Sequence, residues 1–143
     1  MLLPDVNVLV HAYNRDSPWH EPARRFWEGA LSATRPVALS WVAVNAYLRL
    51  MTHARVVSAP IDVVTAERDV RSWLARPQVV LVHPTDRHAE LFFGFLRALG
   101  TAGNLTTDAH LAALAVEHDA EVVSTDTDFA RFPGVRVVNP LAA

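Results

Sequence analysis

The sequence predicts an α/β fold with a short, mostly parallel central sheet between helical layers. Short apolar runs of strand length alternate with longer amphipathic segments along the whole chain, the pattern of a parallel sheet with crossover helices. The run VVLV at 79–82 is continuous rather than alternating, which reads as a buried strand. The chain has 143 residues and is 51% hydrophobic, enough for one core, so residues 1–143 read as a single domain.

The elements follow in order. Residues 2–9 read as a short strand whose paired part ends near Pro4, because proline cannot donate to a ladder. Residues 21–33 read as a helix, with Ala23, Phe26, Trp27, Ala30 and Leu31 at helical spacing. Val37–Leu39 is a brief strand, and Ser40 then caps an apolar helix through Met51. Residues 53–60 are loop, and Pro60 precedes a helix at 62–75. After the 79–82 strand, Thr85 is expected to cap a helix through Leu99. The segment GTAGNLTTD at 100–108 is the only Gly-rich loop. It leads into a helix at 107–118 with Leu111, Leu114, Ala115 and His118 on one face. Glu121–Ser124 is a strand, Asp126–Phe132 starts a short helix or turn, and Arg136–Val138 is a last strand.

Composition narrows the setting. There is no cysteine, which removes disulfides and thiolate metal sites and fits a reducing compartment. The N-terminal apolar run is broken by Pro4, Asp5 and Asn7 and lacks a basic flank, so it is a poor signal peptide. No stretch is long and apolar enough to span a membrane. These features together predict a cytoplasmic protein. The net charge of −2 gives no electrostatic footprint for nucleic acid. All 13 basic residues are arginine, which suits bidentate phosphate contacts but also fits a base-composition bias.

Chemistry is expected where the acids fall. Ligands of a parallel α/β sheet bind beyond the carboxyl ends of its strands. Asp5 follows the first strand, and Asp126 and Asp128 follow the 121–124 strand. Asp108 lies in the first turn of the helix after the Gly-containing loop. Each acid alone has an ordinary reading as a cap or turn former. Their joint placement is what points to a site. Carboxylates brought together raise one another's pKa, and a divalent cation relieves that. Oxygen donors without cysteine select Mg²⁺ or Mn²⁺. Such an ion activates water for attack on a phosphodiester. Asn7 reads either as an orienter of Asp5 or as a turn amide.

Four stretches carry a family resemblance: PDVNVLVHA at 4–12, SWVAVNAYLRL at 40–50, AGNLTTDAHLAALAVEHDAEVVSTDTDFARF at 102–132 and VRVVNPL at 135–141. On them the chain resembles the PIN-domain ribonucleases, and within these the VapC toxins. The resemblance implies a PIN-like α/β/α sandwich and an endoribonuclease using Mg²⁺ or Mn²⁺ to activate water, the toxin of a type II toxin–antitoxin pair. It maps metal-binding positions onto Asp5, Asp108 and Asp126, an accessory acid onto Asp128, and flanking polar positions onto Asn7 and Thr125. It implies an RNA substrate, a homodimer and a VapB-type antitoxin whose C-terminal segment enters the active-site groove.

There is one departure. The family's usual glutamate, three residues before an arginine in the helix after the second strand, falls on Ala46 when counted back from Arg49. Asn45 beside it reads either as a neutral oxygen donor or as a core or interface amide. The loss predicts a site that holds one ion better than two. It also raises an alternative: a catalytically weakened PIN-type module acting through its antitoxin or RNA partner. A phosphoacceptor aspartate of receiver type ranks lower, because the chain has no lysine to accompany it. His110 and His11 are further candidates near the groove. Arg49 reads as a phosphate contact or an ion-pair partner. Trp19, Trp27, Trp41 and Trp73 read mostly as core or dimer contacts. The 41–51 segment and the Trp27 helix are apolar enough to form a dimer or antitoxin surface.

Overall fold

The computed structural model describes residues 1–142; Ala143, the last position of the expected domain, lies outside the described residues. Five short strands form one parallel sheet in the order β3-β2-β1-β4-β5. They are β1 (Leu2–Pro4), β2 (Val37–Leu39), β3 (Val79–Leu81), β4 (Glu121–Val123) and β5 (Val137–Val138). Six helices surround them: α1 (Val6–Tyr13), α2 (His20–Ser32), α3 (Trp41–Met51), α4 (Val63–Leu74), α5 (His88–Leu99) and α6 (Thr106–Glu117). The expected α/β sandwich with a short parallel sheet is what forms.

The chain leaves β1 toward β2 and β3, then returns to the other side of β1 with β4. That reversal makes the β1/β4 carboxyl ends the topological switch point, the crevice where parallel sheets bind ligands. Register places Pro4 opposite Val123, so the residues after both strands leave the same edge side by side.

Successive side chains of a strand face opposite ways, and two large buried clusters result, with a small third of Leu2, Val8 and Val123. One gathers Leu3, Phe95, Leu111, Leu114, Phe129 and Phe132 under α5 and α6. The other gathers Leu9, Leu39, Trp27, Tyr47, Met51 and Trp73 under α1 to α4. In the second, Tyr13, Tyr47, Trp27 and Trp73 meet edge-on or tilted at centroid distances of 4.8–5.7 Å. Trp73 Nε1 donates to Tyr13 Oη at 2.7 Å, and Tyr47 Oη donates to Asp69 at 2.7 Å, which satisfies these polar tips as they are buried.

Several local expectations are corrected. The 2–9 strand is only β1; after it the chain turns at Asp5 into α1. Val6, Val8 and Val10 have modest helix propensity, but Val8, Leu9 and Ala12 share the buried face, and packing overrides propensity. Ser40 caps α3 as expected, accepting from the Ala43 amide at 3.2 Å. Thr85 does not cap a helix directly. Its carbonyl accepts from the His88 amide at 3.0 Å in a turn, and α5 starts three residues later than Thr85. The 79–82 strand is not buried throughout: β3 is a sheet edge, and Val80 is 43% exposed.

The apolar surface also lies elsewhere than expected. Trp27 is 2% exposed, and Ala43, Val44, Tyr47 and Met51 of α3 are buried, so α2 and most of α3 spend their apolar faces on the core. Trp19 and Trp41 are exposed, whereas Trp27 and Trp73 are core. Exposed large apolar side chains remain on three helices among the described residues: Trp41 on α3, Val63 and Val64 at the start of α4, and Phe93 on α5, where only Phe95 is buried. Among the described residues, no helix is long and apolar enough to cross a membrane.

Candidate active site

Asp5 is placed by the end of β1. Pro4 ends the strand, the Asp5 amide donates to the Val123 carbonyl at 2.8 Å, and Asp5 then caps α1 by accepting from the Val6 amide at 2.7 Å. An N-cap aspartate favours the helix dipole and uses one carboxylate oxygen. Its other oxygen accepts from Ser124 Oγ at 2.8 Å and from Asn7 Nδ2 at 3.2 Å. Asn7 also donates to Ser124 Oγ at 3.1 Å, and its own oxygen accepts from the Thr125 amide at 3.4 Å. Asn7 is thus hydrogen-bonded to Asp5, Ser124 and the Thr125 amide at once. Thr125 joins the site through its backbone.

Asp126 is placed by the end of β4. Its amide donates to Ser124 Oγ at 2.9 Å, and its carboxylate caps a 3₁₀ turn over Thr127–Arg131 by accepting from the Asp128 amide at 2.8 Å. Asp108 stands in the first turn of α6, preceded by a 3₁₀ turn at Gly103–Leu105. Carboxylate oxygens of Asp108, Asp126 and Asp128 lie within 4.8 Å of one another. Asp5 borders this group with both oxygens already engaged by hydrogen bonds.

The electrostatics follow from crowding. Burial pushes the Asp108 carboxyl up, the charges of Asp126, Asp5 and Asp128 push the same way, and it reaches about 7. Asp5 is also raised, chiefly by burial, with the Ser124 and Val6 hydrogen bonds pulling against it and Asp126 adding to the rise. Among the described residues the only ion pair to these acids is that of Arg131, 3.6 Å from the half-buried Asp128. Several carboxylates therefore face one another with little cationic relief. A donor set of hard oxygens with uncompensated charge fits a hard divalent cation.

Ser124 is the residue that sequence reasoning missed. It is 1% exposed, and its hydroxyl joins Asp5, Asn7 and the Asp126 amide. The available signal was a serine closing an otherwise apolar strand two residues before an aspartate. On α3, Ala46 brings no carboxylate. Asn45 is exposed, so its reading as a core amide is excluded. Arg49 is exposed and has no ion pair among the described residues. His11 is taken up at the α1–α2 connection, with Nδ1 2.7 Å from Ser17 Oγ and its carbonyl bound by His20. His110 turns away from the acids toward α5, where His88 meets it.

The PIN-domain family profile matches residues 2–135. The chain is 46% identical over 142 residues to Ribonuclease VapC37 of Mycobacterium tuberculosis (strain ATCC 25618 / H37Rv), covering 99% of each chain. It is 40% identical over 141 residues to Ribonuclease VapC33 of the same organism, again covering 99% of each. In fold it is similar to VapBC2 from Rickettsia felis, whose crystal structure is bound to a promoter DNA fragment. The TM-score is 0.69 at 16% identity, over 96% of this chain and 97% of that one.

Proposed function

The chain belongs to the PIN-domain family and, within it, to the VapC ribonucleases, and from that premise we propose that it cleaves RNA at the Asp5–Asp108–Asp126 site with Mg²⁺ or Mn²⁺. It is the toxin ribonuclease of a VapBC-type toxin–antitoxin system. The observation that carries the site assignment is the convergence of the Asp108, Asp126 and Asp128 carboxylate oxygens within 4.8 Å of one another, a crowding that with burial raises the Asp108 carboxyl to about 7. A group so perturbed, at the switch point of a parallel sheet, is a functional candidate on physical grounds.

In this reading Asp108 and Asp126 supply oxygens to the ion, with Asp5 from the end of β1 and Asp128 as an accessory. A divalent cation held by these carboxylates would supply polarisation of a phosphoryl oxygen and activation of water. The chain's own groups do the positioning. Ser124 and Asn7 hold one Asp5 oxygen, and the Val6 amide holds the other. The Asp128 amide fixes one Asp126 oxygen, so that carboxylate is aimed before any ion arrives. Because α3 supplies Ala46 rather than a glutamate, the site is expected to hold one ion more tightly than two.

The partners we propose are a VapB-type antitoxin, on the strength of family membership, and a second copy of the chain. The exposed apolar side of α5, with Phe93 at its centre, is the surface for that second copy. The proposed location is cytoplasmic.

The test is cleavage of total RNA by the purified chain. Cleavage requires Mg²⁺ or Mn²⁺, stops with chelator, and is lost in Asp5→Ala and Asp108→Asn. Cleavage that persists in both variants overturns the site.

A further inference from the structure

We propose that His88 and His110 form a second metal site, separate from the aspartates, that takes a borderline divalent ion such as Zn²⁺. His88 opens α5 and His110 lies on α6, and His88 Nε2 is 3.0 Å from His110 Nδ1. The rings meet at 68° with centroids 4.7 Å apart. Two imidazole nitrogens this close share one proton.

A buried carboxylate decides which ring carries it. Glu117 Oε2 is 2.6 Å from His88 Nδ1, and the Glu117 side chain is 0% exposed. Its Oε1 accepts from the Thr85 amide at 2.8 Å and from Thr85 Oγ at 2.5 Å. Glu117 thus faces donors on both oxygens and stays an anion. With Glu117 accepting at His88 Nδ1, the neutral His88 presents its Nε2 to His110. Phe92 stacks on the His88 ring at 5.8 Å and 10°, which fixes the ring plane. A carboxylate behind an imidazole, leaving the far nitrogen free, is the arrangement that orients histidine ligands and raises their basicity.

Entry of an ion requires the two rings to part and to turn so that both lone pairs converge on it. Zn–N bonds of about 2.0–2.1 Å in tetrahedral geometry set the two nitrogens about 3.4 Å apart, so the rings part by a few tenths of an ångström. The His110 proton moves from Nδ1 to Nε2 through solvent. Two nitrogen–metal bonds form, no net proton is released, and water fills the remaining positions. Imidazole nitrogens favour Zn²⁺, Ni²⁺ or Cu²⁺, whereas carboxylates favour Mg²⁺ or Mn²⁺. The ion would tie α5 to α6, the helix that carries Asp108.

The experiment is calorimetric titration of the full chain with Zn²⁺ in excess Mg²⁺, with thermal melts alongside. The natural chain is expected to bind one Zn²⁺ and gain thermal stability. His88→Gln and His110→Gln each weaken binding tenfold or more and abolish the gain. Glu117→Gln keeps both ligands and gives a smaller loss. His53→Gln, at an exposed histidine, and the Asp108→Asn/Asp126→Asn pair leave the Zn²⁺ affinity and the Zn²⁺-dependent gain in Tm as in the natural chain. No Zn²⁺ uptake by the natural chain overturns the proposal. So does binding that survives in both histidine variants, or binding that disappears with the aspartates. Circular dichroism of each variant separates lost binding from lost folding.

Discussion

The Ser124 hydroxyl donates to Asp5 Oδ2 at 2.8 Å and accepts from the Asp126 amide at 2.9 Å, so one buried oxygen locks together the residues that follow β1 and β4. The two aspartates are 121 positions apart in sequence and are aligned through this serine rather than by direct contact. Ser124→Ala leaves Asp5 Oδ2 with Asn7 as its donor and the Asp126 amide without its acceptor. The expected cost is about 1–3 kcal/mol in stability. Supporting groups of this kind typically carry about 10–100-fold in metal affinity or activity. Mn²⁺ affinity and RNA cleavage, measured on folded protein, check it. Unchanged values remove Ser124 from the site.

The Asp108 carboxyl sets a pH dependence whose sign can be worked out. It is about 7 in the folded chain against an ordinary value of 3.8. Between these values the folded state holds a proton that the unfolded state has released. Stability of the metal-free chain is therefore fullest below about pH 4 on this account and is lost as pH rises through about 7. The side chain is only half-buried, and solvent screening reduces the effect to a shift of about 2–4 °C in Tm. Asp108→Asn is expected to raise the Tm of the chelator-treated chain at pH 8 and to flatten its dependence between pH 4 and 8. A lowered Tm at pH 8 contradicts the crowding of charge.

Ala46 predicts stoichiometry. Mn²⁺ titration of the natural chain, followed by paramagnetic resonance or calorimetry, is expected to saturate at one ion. Ala46→Glu restores a carboxylate on α3, whose start at Trp41 lies just beyond the carboxyl end of β2. A second ion is then expected, with affinity at least tenfold above that of the natural chain. Two ions already bound tightly by the natural chain refute the reading.

Phe93 tests the surface of α5. It is 54% exposed on a helix that buries only Phe95 of its twelve residues. A charged side chain in an apolar interface loses its hydration without a partner. Phe93→Glu is expected to shift sedimentation from dimer toward monomer with little change in Tm at low concentration. A natural chain that sediments as a monomer at micromolar concentration defeats the prediction.

Local chemistry wrote much of this molecule into its sequence. Val37–Leu39, the Ser40 cap and the helix ending at Met51 could be read directly, because a cap, an apolar run and a helical period are short-range signals. The positions of Asp5, Asp108 and Asp126 after strands or in a first helical turn were likewise legible, since a parallel sheet fixes which edge is functional. Tertiary structure alone decided the rest. It made 6–13 a helix, because burial of Val8, Leu9 and Ala12 outweighed the weak helix propensity of the valines. It set Ser124 between two aspartates and His88 against Glu117 and His110, contacts that span 119, 29 and 22 residues. It left α5 with an uncovered apolar side, because one layer of two helices cannot bury every face of an apolar helix. Partners that far apart in sequence carry no periodicity; only the closure of the sheet brings their polar atoms within hydrogen-bond reach.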